Sequence, residues 1–118
     1  MKIIRAALAR RFIWVTSPPL MDEVERVLKS KKFGLTNHEI QVLTGPVFSV
    51  ADVVVPQIHL TVIDRCPADN RVLECAVDGQ CSVIVTGDRR DLLSLKAFRG
   101  IEILTARQFQ GRIEEARL

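Results

Sequence analysis

Histidine and paired cysteine are scarce in this chain of 118 residues. The two histidines, His38 and His59, stand far apart in poorly patterned segments. The three cysteines, Cys66, Cys75 and Cys81, include no C-x-x-C pair. An odd count at irregular spacing argues against a disulfide framework and against a zinc site. Reduced, mostly buried thiols in a cytoplasmic protein are the simplest reading. Long apolar runs are missing too. None approaches the ~20 residues needed to span a bilayer, so no membrane role is expected. At the start, Arg5 interrupts the apolar part of residues 1–11. A signal peptide needs about 7–15 uninterrupted apolar residues, so an amphipathic helix is expected there instead. No repeat, low-complexity tract or linker is visible, and residues 1–118 are read as one domain.

What is present is ordinary for a globular core: 47% hydrophobic and 26% charged residues. The formal net charge is +3, with a pI near 9.0. This mildly basic balance is compatible with a polyanionic partner without requiring one.

The most telling stretch is Val83-Ile84-Val85-Thr86-Gly87-Asp88-Arg89-Arg90-Asp91-Leu92-Leu93. A β-branched run ends at glycine and aspartate and then turns helical. It predicts a buried parallel strand that delivers a carboxylate to the rim of its sheet, where ligands of open α/β sheets bind. Elsewhere, helical spacing is expected over residues 2–10. A strand over 12–16 runs into a helix starting at Pro18-Pro19, with a stripe of Leu20, Val24, Val27 and Leu28. Lys29, Lys31 and Lys32 close that helix, in keeping with its dipole. Thr36 and Glu39 form a capping box for another helix, expected to stop near Gly45-Pro46. Residues 50–63 should hold one strand and an extended lead-in, broken by Pro56. Asp69 opens a helix with the stripe Val72, Leu73, Ala76 and Val77. A strand at 82–86, a short helix to Leu95, a strand at 101–104 and a helix capped by Thr105 complete the chain. Strands alternating with helices imply a parallel sheet covered on both faces.

Three acids fall at strand-to-helix transitions or first helical turns: Glu23, Asp69 and Asp88. Each has a plainer reading. Asp88 and Asp69 are also good N-caps, worth about 1 kcal/mol, and Glu23 is also a solvated residue at the edge of its helix stripe. As a set they suit Mg²⁺ or Mn²⁺, which prefer oxygen ligands. Such an ion activates water and neutralises charge developing on a phosphodiester. Arg89 and Arg90 read either as solvent-facing or as phosphate contacts.

Four blocks in order resemble the PIN-domain ribonucleases, in particular the group of toxin components of toxin–antitoxin systems. They are Phe12-Ile13-Trp14-Val15-Thr16-Ser17-Pro18 with Leu20-Met21-Asp22-Glu23-Val24; Pro67-Ala68-Asp69-Asn70-Arg71-Val72-Leu73-Glu74-Cys75-Ala76; Val85-Thr86-Gly87-Asp88-Arg89-Arg90-Asp91-Leu92-Leu93; and Phe98-Arg99-Gly100-Ile101-Glu102-Ile103-Leu104-Thr105-Ala106-Arg107-Gln108-Phe109. The resemblance implies a three-layer α/β/α fold around a mainly parallel sheet. It also implies an acidic pocket for Mg²⁺ or Mn²⁺ that hydrolyses single-stranded RNA. Carried over by position, the metal ligands are Glu23, Asp69 and Asp88, with Asp91 as a nearby fourth catalytic acid. Thr86 would hydrogen-bond a carboxylate, and Arg89 and Arg90 would meet RNA. A small antitoxin protein and a second copy of the chain are the implied partners.

The chain departs from the family in two places. The family opens with an apolar strand ending in Asp-Thr-Asn or a close variant. That segment and its aspartate have no counterpart here, since Met1 falls where the family is already in its first helix. Cys66 and Ala68 stand where the family often has acids. The expectations are therefore an upstream start, direct pairing of the strands at 12–16 and 82–86, or a strand from a second copy. Alongside the ribonuclease stand a non-catalytic RNA- or protein-binding module and a plain α/β fold whose acids are only caps.

Overall fold

The computed structural model describes residues 2–87 and 90–116. The first helix, α1 (Lys2–Leu8), buries Ala6 and Ala7. Those small side chains allow close packing on two later helices, α3 (Asn37–Ser49) and α6 (Ala106–Glu115). Beyond α1 the chain is tied to α6 again. Arg11 donates to the Ile113 carbonyl at 3.1 Å, and the Phe12 and Phe109 rings meet edge-on at 5.0 Å.

The strand expected over 12–16 forms only at β1 (Val15–Thr16). Pro18 then starts α2 (Pro18–Lys29), as the sequence predicts, because proline is pre-shaped for the first helical turn and its missing N–H is not needed there. The α2 stripe stays partly open, with Val24 and Val27 exposed. Lys29 pairs with Glu25 at 3.1 Å along the same helix.

The expected capping box of α3 is present, with Thr36 and Glu39 each accepting from the other's backbone N–H. The helix does not stop near Gly45-Pro46, however; it carries Pro46 inside and ends at Ser49. Proline removes one helical hydrogen bond. The Thr44 hydroxyl bonds back to the Ile40 carbonyl in the turn before it, and Phe48 in the turn beyond is anchored on the wall of a cleft described below.

The β2 strand (Asp52–Val53) pairs parallel with β1, and the chain then runs extended to Ile63. Next come α4 (Asp69–Asp78), β3 (Val83–Thr86), α5 (Arg90–Leu95), β4 (Ala97–Phe98), β5 (Ile101–Thr105) and α6. Thr105 and Gln108 form a second capping box at the start of α6.

The fold is α/β, but its sheet is divided. Among the described residues β1 and β2 form one parallel pair, and β3, β5 and β4 form a separate sheet in that order. β3 and β5 are parallel; β4 joins β5 antiparallel through a tight turn. Arg99 and Gly100 both have positive φ there (50° and 81°), the signature of a two-residue hairpin. This hairpin is the antiparallel element in a sheet expected to be mainly parallel. Direct pairing of the 12–16 and 82–86 strands does not occur.

The core gathers around α4 and the three-stranded sheet. Leu73 and Leu92 are fully buried, with Ile84, Ile101 and Ile103 around them. At the C-terminus of α4, Gly79 is required by close approach: an added Cβ would stand 2.8 Å from both the Cys75 carbonyl and a Val15 methyl. The end of α4 thus presses directly on β1.

Candidate active site

An open cleft of about 790 Å³ separates the two sheets. β1 and β3 form its walls, and α2, α3, α4 and α6 contribute Val24, Phe48, Val72 and Phe109. Two predicted site residues open onto it. Glu23, in the second turn of α2, is half-buried on its wall. Thr86, the last residue of β3, is buried on the opposite wall.

Asp69 is the first residue of α4 and is 3% exposed. It is not the N-cap, a position held by Ala68 without any side-chain cap. Its place one residue inside the helix and its burial set it apart from an ordinary solvent-facing cap. α4 packs on α2, β1 and β3, so it links the elements that carry Glu23 and Thr86. Asp91 lies half-buried in the first turn of α5, just before Leu92, and Arg90 is exposed. Neither Asp69 nor Asp91 lines the cleft. Asp88 and Arg89 lie outside the described residues. Among the described residues no group of three or more His, Cys, Asp or Glu side chains is placed to hold a metal ion.

The acids expected at the site share one donor type, although the described residues do not bring three of them together. Glu23, Asp69 and Asp91 offer only oxygen. Cys75 and Cys81 also line the cleft, but burial pushes both thiols up. For Cys75 the neighbouring Ser17 hydroxyl pulls the other way and Cys81 adds to the rise. Both therefore stay protonated near neutrality and are poor thiolate ligands. All three cysteines are free, as expected.

A second group of polar residues on α4 went unrecognised in the sequence. Asn70, Glu74 and Asp78, at i, i+4 and i+8, grip the extended segment 57–63. Asp78 accepts from the Gln57 and Ile58 N–H groups. Glu74 accepts from Leu60 N–H at 2.8 Å. Asn70 accepts from Ile63 N–H and donates to its carbonyl, both at 2.9 Å. Glu74 is also held by the Arg71 guanidinium at 2.6 and 2.7 Å. Burial pushes the Glu74 carboxyl up, but the Arg71 and Leu60 hydrogen bonds and the nearby charges of Arg71 and His59 outweigh it. The group ends below its ordinary value. The spacing of four along one helix face was the available signal.

A family model of the PIN domain matches residues 1–90. The chain belongs to the PIN-domain family. That makes it a nuclease-type domain with RNA as the indicated substrate, in a family that generally uses divalent metals. The α/β architecture with small parallel sheets agrees with membership. The matched stretch takes in Glu23, Asp69 and Asp88 and ends at the first residue of α5. No curated protein and no solved structure matches the chain. Among the described residues, no helix is long and apolar enough to cross a membrane.

Proposed function

We propose that this PIN domain is a Mg²⁺- or Mn²⁺-dependent endoribonuclease acting on single-stranded RNA, the toxin of a pair completed by a small antitoxin protein. Family membership over residues 1–90 carries the reading. Glu23, Asp69 and Asp88 would hold the ion, with Asp91 close by. Such an ion supplies an activated water and a counter-charge for the phosphodiester. The protein's part is placement: Glu23 projects from α2 to the cleft, and Asp69 is fixed by the buried start of α4. Thr86 ends the strand that leads in sequence to Asp88, and its hydroxyl would orient a carboxylate. Arg90 is exposed and free to meet phosphate, with Arg89 beside it in sequence. The toxin role rests on the order of the four sequence blocks, and the free thiols accord with a cytoplasmic setting. A homodimer belongs to the same reading.

A non-catalytic RNA- or protein-binding module is the second reading. It rests on Cys66 and Ala68, which stand where the family often has acids. A single assay separates the two. Single-stranded RNA is incubated with the protein and Mn²⁺, and Asp88→Asn and Asp69→Asn are run in parallel. Cleavage that both substitutions abolish supports the nuclease. RNA retention without cleavage, unchanged by chelator, supports the module.

A further inference from the structure

We propose that the turn at 30–34, just beyond α2, is a docking platform for single-stranded RNA, on which Phe33 stacks against a base and Lys31 and Lys32 meet phosphates. The inference deepens the nuclease reading and rests on it for the choice of RNA. The lysines after α2 have a plainer job open to them, closing the helix and complementing its dipole. Other groups close it. The Val27 carbonyl accepts from the Ser30 N–H at 3.1 Å and from the Ser30 hydroxyl at 2.6 Å. The Leu28 carbonyl accepts from the Leu35 N–H at 3.0 Å. Lys29 is held by Glu25, one turn back along the helix. Lys31 and Lys32 stand exposed past the helix end. Among the described residues, no carboxylate lies within ion-pair distance of either.

Phe33 is 50% exposed, and the Lys32 ammonium lies 5.6 Å from its ring centroid. The molecule holds a second pair of this kind for comparison. The Arg99 guanidinium lies 5.3 Å from the Phe98 ring, but Phe98 is half-buried and packs against the core. Phe33 is not among the residues packed there. Its ring is nonetheless held in place. The Phe33 and Gly34 N–H groups both go to the Ser30 carbonyl, at 3.1 and 2.6 Å, and Gly34 completes the turn at a φ of 61°. The turn thus presents an open aromatic face beside two unpaired cations. A single strand of nucleic acid answers both: its phosphates suit the ammonium groups, and any base can stack on the ring. An anionic lipid surface would use the same groups, but RNA is the indicated substrate of this family. From the second turn of α2, which borders the cleft, to Lys29 the helix rises about 9 Å. The platform therefore anchors the strand outside the cleft.

The probe is a fluorescein-labelled single-stranded RNA of about twelve nucleotides and mixed sequence. Anisotropy reads its binding in EDTA, over a range of salt, and cleavage in Mn²⁺ is read separately. Phe33→Leu keeps an apolar side chain and removes the aromatic face. It should weaken binding about tenfold and leave the salt dependence unchanged. Lys31→Gln with Lys32→Gln should lower the slope of log K against log salt by about 0.7 per lysine. Lys31→Arg with Lys32→Arg should keep the wild-type slope. Lys96→Gln, a cation removed beside β4, should change neither quantity. Melting temperatures check that each variant folds. Wild-type affinity and slope in both Phe33→Leu and the glutamine pair overturn the platform; if cleavage persists, the nuclease reading survives that failure. Absent cleavage, with RNA binding that depends on Phe33 and the lysines, removes the nuclease reading and supports the platform. An equal loss in Lys96→Gln overturns the platform, because bulk charge would then explain the binding. No saturable RNA binding by the wild-type protein overturns it as well. Phe33-dependent binding to phosphatidylserine vesicles would then make an anionic lipid surface the occupant.

Discussion

Two regions of this molecule hold backbone without a neighbouring strand, and they meet opposite fates. The segment 57–63 has no strand beside it, yet side chains of α4 receive its N–H groups at Gln57, Ile58, Leu60 and Ile63. The edges of β1 and β3 border a cleft, and no described strand faces them. A helix face can thus replace a missing strand when its polar residues recur every four positions. The cleft has no such helix, because the groups on its walls are mostly apolar and cannot pair with backbone. One region has its backbone groups paired by side chains, and the other borders an open cleft.

If that contrast holds, damage to the α4 side should be far more costly than damage to the cleft. Leu73→Ala should cost most, about 2–5 kcal/mol, since Leu73 is fully buried where α4 meets the sheet. Chemical denaturation measures it, and a loss under 1 kcal/mol would mean that α4 is not the keystone. Asn70→Ala comes next, at about 2–4 kcal/mol, because it orphans both the N–H and the C=O of Ile63. Gly79→Ala should cost about 1–3 kcal/mol by forcing α4 off Val15. It should also disturb Trp14 emission through the neighbouring β1.

Acid should act through the same helix. The folded pKa of Glu74 is depressed, so its contribution is present above the ordinary value of 4.5 and is lost as pH falls through the folded value. Wild-type Tm should therefore fall below about pH 4.5 more steeply than that of Glu74→Gln. Parallel curves would remove Glu74 from the account. The smallest effect belongs to the cleft. Ile13→Thr should change stability by under about 0.5 kcal/mol, as expected for an exposed site. A large loss in the free protein would show that the cleft is already closed in solution.

Much of this was legible in the residues. Helix starts at Pro18, Thr36, Asp69 and Thr105 follow from local chemistry that needs no tertiary context. β3 and β5 showed as β-branched runs. The continuation of α3 past Pro46 did not, because the anchoring of Phe48 on the cleft is a tertiary fact. The β4–β5 turn was hidden because Arg99 stands in a left-handed position where asparagine or glycine is usual. The divided sheet was also out of reach: strand pairing depends on partners distant in sequence. For the site, the position of Glu23 at the edge of its helix stripe matches its half-buried place on the cleft wall. Asp69 was ambiguous from sequence, because an aspartate at a helix start reads equally as a cap until its burial is seen. The backbone-gripping role of Asn70, Glu74 and Asp78 was visible as spacing but not as purpose, since the segment it serves lies 7 to 21 positions earlier.

Amide hydrogen exchange tests the contrast most directly. The amides of Leu60 and Ile63 should be protected in the free protein. Those of Val15, Val83 and Val85, which face away from β2 and β5, should exchange fast. Equal protection of both sets in the free protein would contradict an open slot, and fast exchange at Leu60 and Ile63 would contradict the grip of α4.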